Sequence, residues 1–142
     1  MNRQSEAPIG VYDTGVGGLS VLGALTALLP AESFYYVADG ANCPYGDREP
    51  DEIVRLALGV SEHLAGAGCK AIVVACNTIS ATALPALRAQ LAIPIVGMVP
   101  AVKPAVALTR TGVIGVLATT ATVRGALYLD VLERFAQNAR VI

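Results

Sequence analysis

Lys70-Ala71-Ile72-Val73-Val74-Ala75 runs without a break into Cys76-Asn77-Thr78 and then into Ile79-Ser80-Ala81-Thr82-Ala83-Leu84. The first six residues are apolar and β-branched through their interior, the pattern of a buried strand. The last six begin a helix. A buried strand that turns directly into a helix marks a parallel α/β sheet, whose ligands bind outside the carboxyl ends of the strands. Cys76 stands at such an end. A thiol there faces the first free backbone N–H groups of a helix, whose partial positive charge favours a negative sulfur. Asn77 and Thr78 add an amide and a hydroxyl that can orient a polar ligand. The same residues also fit a plain structural reading, with a small cysteine buried at a strand end and Asn77 or Thr78 capping the helix. The tetrapeptide alone leaves both readings open.

Outward from this stretch, the hydrophobic period keeps switching between strand and helix. Residues 9–13, 33–38, 70–75, 94–97 and 112–118 read as strands. One helix has Ile53, Leu56, Ala57, Val60 and Leu64 on a single stripe, and Pro50, Asp51 and Glu52 mark its start. Gly17-Gly18 opens a helix carrying Leu22, Leu25 and Leu29. Another runs from Thr122, with Leu127, Val131 and Phe135 on one face and Tyr128 and Leu132 beside them. This alternation predicts an α/β fold, a parallel sheet with helices on both faces and right-handed crossovers. The prolines and glycines between Pro94 and Pro104 predict a boundary. Residues 1–98 form a first α/β domain, and residues 99–142 are expected to begin a second, incomplete one. Arg140-Val141-Ile142 reads as a strand just starting.

Composition narrows the function classes. The 142 residues are 54% hydrophobic but only 5% aromatic, with no Trp. That surplus of Ala, Val, Leu and Ile suits helices packed on a buried sheet. Ten basic and eleven acidic residues give a formal charge of −1, without the basic footprint of a nucleic-acid binder. The longer uncharged runs are broken by glycine and proline, so no membrane span is expected. The segment Met1-Asn2-Arg3-Gln4-Ser5-Glu6 leads straight into a strand and does not read as a signal peptide. Three cysteines, Cys43, Cys69 and Cys76, make an odd number without metal-ligand spacing, which suits a reducing cytoplasm. Cys69 reads as packing, and Cys43 lies in a polar loop near a site.

Three further loops fall at strand carboxyl ends. Asp13-Thr14-Gly15-Val16-Gly17-Gly18 can bring backbone N–H groups to an anion at a helix start, while Asp13 can accept a proton or bind an ammonium. Its spacing fits neither the dinucleotide fingerprint nor the P-loop. Asp-Thr-Gly also occurs in aspartic proteases, but those are all-β proteins and this motif opens a helix. Asp39 to Arg48 holds Pro44 and Gly46 in a rigid turn, with Tyr45 offering a phenol and backbone groups. Thr119-Thr120-Ala121-Thr122 supplies three hydroxyls, which can equally cap a helix. His63, the only histidine, lies on a polar helix face and is expected to lack a partner. Asp130, Glu133 and Arg134 belong to a solvated helix face.

Taken together, Asp13-Thr-Gly-Val-Gly-Gly, Cys43-Pro-Tyr-Gly, Ala75-Cys-Asn-Thr and Thr119-x-x-Thr122, in this order and spacing, resemble the glutamate racemase family. These cofactor-independent enzymes make D-glutamate for peptidoglycan, hence cell wall and cell shape. The resemblance runs from about Ile9 to the last residue and covers the N-terminal half of the family's chain. It implies that Cys76 is one of two catalytic cysteines, acting on the D-enantiomer's proton, with Asp13 assisting the thiol or meeting the ammonium. It implies substrate contacts from Asp13, Thr14, Tyr45, Gly46, Asn77, Thr78, Thr119 and Thr122, with glutamate as the small-molecule partner. Neither cofactor nor metal is implied, and a homodimer is left open. Thr14 departs mildly from the family's usual Ser; Asp39 to Asn42 and Gly125 also look variant. The family's second Gly-Cys-Thr-His motif does not occur in these 142 residues, so the chain is expected to be inactive alone. Alternatives are an aspartate racemase of the same family or a non-catalytic binder of small acidic amino acids. A thiol hydrolase would need a nearby histidine base, and His63 sits on the wrong segment. A Cys-x5-Arg phosphatase loop fails because position 82 is Thr.

Overall fold

Ile9–Asp13 forms β1, the strand around which the main sheet is arranged. The structure, a computed structural model, describes residues 6–142, so the reading of residues 1–5 as part of no signal peptide lies outside it. After β1 come α1 (Gly18–Leu28), β2 (Phe34–Ala38), α2 (Pro50–Gly66), β3 (Ala71–Val74), α3 (Asn77–Gln90) and β4 (Ile95–Val96). The four strands pair in parallel in the order β2-β1-β3-β4. Chain order thus reverses between β1 and β3, which makes their carboxyl ends the switch point where such sheets open a crevice.

Register explains which face became the core. Tyr12 stands opposite Val74, Gly10 opposite Ile72, and Ile72 opposite Ile95. Alternation along a strand therefore puts Tyr12, Ile72, Val74 and Ile95 on one face. They pack with Ile53, Ala57 and Leu64 of α2 and Ile79, Ala83, Leu84 and Leu87 of α3. Each large side chain buried here contributes about 1.5–3 kcal/mol. Gly10 lets this packing close tightly, since a Cβ would lie 3.1 Å from Leu64 Cδ1 and 3.3 Å from Cys69 Sγ. Cys69 is buried here, as its packing role anticipates. The stripe on α2 is present, with Pro50 in the first turn beside Asp51 and Glu52. Right-handed crossovers put α1, which connects β1 and β2, on the opposite face.

A second, smaller assembly follows: α4 (Val102–Leu108), β5 (Val113–Ile114), α5 (Thr120–Arg124), α6 (Ala126–Phe135) and β6 (Arg140–Val141). Strands β5 and β6 form a separate parallel pair, over a core of Val102, Ile114, Tyr128 and Val131. Ala121 and Leu127 reach across to the main core, so α5 and α6 tie the two assemblies together.

Several expectations need correction. The strands expected over 94–97 and 112–118 shrink to two residues each, because β4 is an edge and β5 has only β6 to pair with. Helix α4 was not anticipated, since Pro104 and the preceding prolines read as a boundary. The helix expected from Thr122 is two helices broken at Gly125, where a Cβ would lie 2.6 Å from the Ala81 carbonyl oxygen. Phe135 does not join the buried face; it is exposed beneath Lys103, whose Nζ lies 5.0 Å from the ring centroid. His63 has a partner, with Tyr35 Oη 3.1 Å from Nε2. Asp130 and Arg134 do lie on a solvated face, as an exposed ion pair. No helix among the described residues is long and apolar enough to cross a membrane.

Candidate functional site

The carboxyl ends of β1 and β3 open into a cleft of about 660 Å³. Asp13, Ala75, Cys76, Asn77 and Thr78 line its sheet side, and Leu117, Ala118, Thr119 and Thr122 line the far side. Cys76 is the N-cap of α3, with extended backbone at φ −130° and ψ 124°, and its side chain makes no cap hydrogen bond. Strand β3 thus delivers the thiol to the mouth of a fourteen-residue helix. Its sulfur lies 3.6 Å from Thr14 Oγ1, and the residue as a whole is only 9% exposed.

Asp13 is buried beside it, and its carboxylate is already engaged. Oδ1 accepts the Thr14 backbone N–H at 2.8 Å and Oδ2 accepts that of Gly18 at 2.7 Å. The glycine-rich loop was expected to aim its N–H groups at a bound anion. Instead, the Gly18 amide is spent on the chain's own carboxylate. That explains Gly18, where a Cβ would stand 2.7 Å from Asp13 Cβ. The result is a tight turn that holds the Thr14 hydroxyl against the sulfur. Tyr36 braces it by donating to the Gly15 carbonyl at 3.1 Å, and burial beside Asp13 pushes the Tyr36 phenol above its usual range.

Thr78, Thr119 and Thr122 form a triangle of hydroxyls: Thr78–Thr119 and Thr119–Thr122 are 2.9 Å apart and Thr78–Thr122 3.3 Å. Thr119 also caps α5, accepting the Thr122 backbone N–H, so the capping role and the site role coexist. Three hydroxyls bring three protons, and each can turn from its neighbour toward an anionic oxygen in the cleft. Asn77 is exposed at the cleft's rim.

Tyr45 and Gly46 stand apart from the cleft lining. The Tyr45 phenol was expected to be offered to a ligand; it is buried and donates to Asp39 Oδ2 at 2.6 Å, with Tyr12 Oη 3.0 Å away. Gly46 presses directly on the hydroxyl triangle, since a Cβ there would lie 2.8 Å from Thr119 Cβ. Cys43 is exposed near Gly15 and does not line the cleft. Sequence reasoning missed Tyr12, Asp39 and Asn42 as a group, and the wall formed by Met98, Pro100 and Val102. Proline-rich composition was the available signal for that wall. A second cavity of about 380 Å³ lies behind the triangle, between Arg48, Pro85 and Arg124, and holds no cysteine. Among the described residues no cluster of three or more His, Cys, Asp or Glu is placed to hold a metal ion.

Known proteins are similar to this chain in sequence and fold. The glutamate racemase of Roseiflexus sp. (strain RS-1) is 52% identical over 143 aligned residues, covering all of this chain and 53% of the relative. That of Ectopseudomonas mendocina (strain ymp) is 53% identical, covering 99% of this chain and 54% of the relative. The chain therefore spans about half the length of these curated relatives. Among solved structures, Escherichia coli glutamate racemase, in complex with L-glutamate and the activator UDP-MurNAc-Ala, superposes with a TM-score of 0.86 at 38% identity. That match covers 95% of this chain and 52% of the other. The Aquifex pyrophilus glutamate racemase gives 0.85 at 40% identity, over 95% of this chain and 53% of the other. The model of the Asp/Glu/hydantoin racemase family matches residues 14–141, from the threonine beside the cleft thiol to the final strand, and to that family this chain belongs.

Proposed function

We propose that this chain forms one half-site of a glutamate racemase, with Cys76 as the base that works on the α-proton of D-glutamate. The observation that carries the reading is the cleft itself, a cysteine sulfur at the switch point with hydroxyls on the opposite wall. Inverting an α-carbon without a cofactor takes a proton from one face and returns one to the other. In the half-reaction proposed here, the Cys76 thiolate takes the α-proton and becomes a thiol. The electron pair left on carbon spreads into the substrate carboxylate, where hydroxyls of Thr78, Thr119 and Thr122 donate to the growing negative charge. Thr14 steadies the sulfur, Asp13 holds Thr14 in place and assists the thiol, and Asn77 meets the substrate at the rim. Gly46 belongs to the same substrate-binding set through its close approach to Thr119, and Tyr45 enters it as the residue that carries Gly46 there. An acid on the opposite face completes the inversion.

No second Gly-Cys-Thr-His segment occurs in the 142 residues, so the half-reaction at Cys76 is the part of the inversion this reading assigns to them. In this reading residues 1–98 supply the base and the Thr78 hydroxyl, residues 99–142 supply the hydroxyls of Thr119 and Thr122, and the D-glutamate of the complete reaction serves peptidoglycan synthesis in the cytoplasm. Alkylation with iodoacetamide, read by peptide mapping, tests the site. D-Glutamate should slow labelling of Cys76 and leave exposed Cys43 unchanged. Equal rates at Cys76 with and without D-glutamate would contradict the assignment.

A further inference from the structure

A buried chain of polar groups runs behind the cleft, outside the residues assigned above to proton transfer. Tyr12 of β1 and Tyr45 of the β2–α2 loop bury their phenols almost completely, with the two hydroxyl oxygens 3.0 Å apart. Tyr45 donates its one proton to Asp39 Oδ2 at 2.6 Å. An ionised carboxylate only accepts, so Tyr45 cannot also donate to Tyr12. The direction is thereby fixed: Tyr12 donates to Tyr45, and Tyr45 donates to Asp39. Asn42 completes the set, its Nδ2 lying 3.0 Å from both Asp39 oxygens. Asp39 is itself pinned to the site strand, since its backbone N–H donates to the Asp13 carbonyl at 2.9 Å.

The far end of this chain reaches the back of the cleft wall at Thr119. Gly46 follows Tyr45 directly, and its carbonyl accepts the Ala121 N–H at 3.2 Å. Its missing Cβ leaves the room that Thr119 fills. Arg48 braces the same loop from outside, donating to the Asn42 and Pro44 carbonyls and pairing with Glu52. Nothing else in this stretch is helix or strand, so the loop depends on these bonds for its shape.

We infer that Tyr12, Tyr45 and Asp39 are positioning residues for the racemase half-site, fixing the Tyr45–Gly46 backbone against Thr119 and so setting the gap between the hydroxyl wall and Cys76. The inference rests on the reading of that cleft as the site. It assigns none of the three to contact with substrate. A hydrogen bond to a charged acceptor, buried and without an alternative partner, is among those whose loss is most strongly felt.

The test measures iodoacetamide labelling of Cys76 in the folded chain, with Cys69 as an internal reference at the amino end of the sheet. Tyr45→Phe leaves Tyr12 without an acceptor and should raise Cys76 labelling about tenfold, the weight of one such bond, while Cys69 stays unchanged. Tyr12→Phe should act in the same direction, and the double variant should do no more than Tyr45→Phe alone. An unchanged Cys76 rate in Tyr45→Phe overturns the inference. So does equal acceleration of Cys69, which indicates general loosening, or multiplication of the two single effects. If Tyr45→Phe does not fold, Asn42→Ala keeps both phenols and removes only the amide on Asp39. It should raise Cys76 labelling about threefold, the low end for one neutral bond, and no change there also overturns the inference. Failure of the site reading is seen separately, as absence of D-glutamate protection in the unsubstituted chain.

Discussion

The two sheets meet at one cleft but are built to different standards. The β2-β1-β3-β4 sheet has five-residue strands at β1 and β2, and α2 and α3 seal one of its faces with fully buried side chains. The β5-β6 pair has two residues per strand and a core of four buried side chains. The side chains at the cleft divide unevenly along the same line: the first sheet holds the sulfur, the carboxylate and the Thr14 and Thr78 hydroxyls, and the second assembly adds those of Thr119 and Thr122. A reactive group needs a rigid mount, whereas a wall of hydroxyl donors can be carried by a lighter frame if something clamps it. The close approach of Gly46 to Thr119 and of Gly125 to Ala81 supplies that clamp.

The sharpest way to break this contrast is to delete the same side chain from each core. Ile72→Ala, in a site with no exposed surface, should cost about 2–5 kcal/mol in urea unfolding. Ile114→Ala, in the thinner core, should cost clearly less and leave the first sheet's cooperative transition in place. Equal losses would mean that the two sheets share one core. A smaller effect is expected at the seam, where Thr122→Val removes one buried hydroxyl but leaves Thr78 bonded to Thr119. The loss should be about 1 kcal/mol, with weaker D-glutamate protection of Cys76.

Alkaline pH should act on the first sheet. Burial raises Cys69 above its ordinary 9.0 and Tyr12 and Tyr45 above 10.0. The folded chain therefore holds these protons more tightly than the unfolded chain. Their stabilisation is complete below about pH 9 and falls as pH rises through the raised values. Urea midpoints at about pH 8 and about pH 11 should show the drop, and Tyr45→Phe should lessen it. The smallest effect belongs to Arg134 and Asp130, an exposed pair on α6. Breaking it with Asp130→Asn should change stability by about 0.5 kcal/mol or less, and salt should erase the difference.

Local patterns carried the first sheet. The β-branched run at Ile72-Val73-Val74, the stripe on α2 and the position of Cys76 between them were all readable, because each depends on neighbours in sequence. Belonging to the racemase family was legible from four loops together and from none singly. What could not be read depended on partners far along the chain. Nothing local says that the Gly18 amide will bind Asp13, that the Tyr45 phenol will be spent on Asp39, or that Tyr35 will reach His63. The helix break at Gly125 falls where Ala81 passes within 2.6 Å of a Cβ placed there, a partner 44 residues away in sequence. Helix α4 stayed hidden because Pro104 and the prolines before it carry a boundary signal, against which Val102 packs with Tyr128 and Val131.

The central claim is that this chain holds one proton-transfer half-site built on Cys76. Its most direct test is conversion of D- to L-glutamate by the isolated chain, followed by circular dichroism alongside α-proton exchange in D₂O and a Cys76→Ser control. With one of two opposed acid–base groups absent, a loss of about 10²–10⁴ is expected from that group alone, and lost positioning adds to it. The account predicts no useful turnover. Turnover near about 1 s⁻¹, the lower end of common enzyme values, abolished by Cys76→Ser, would contradict it and show that these 142 residues assemble a complete site.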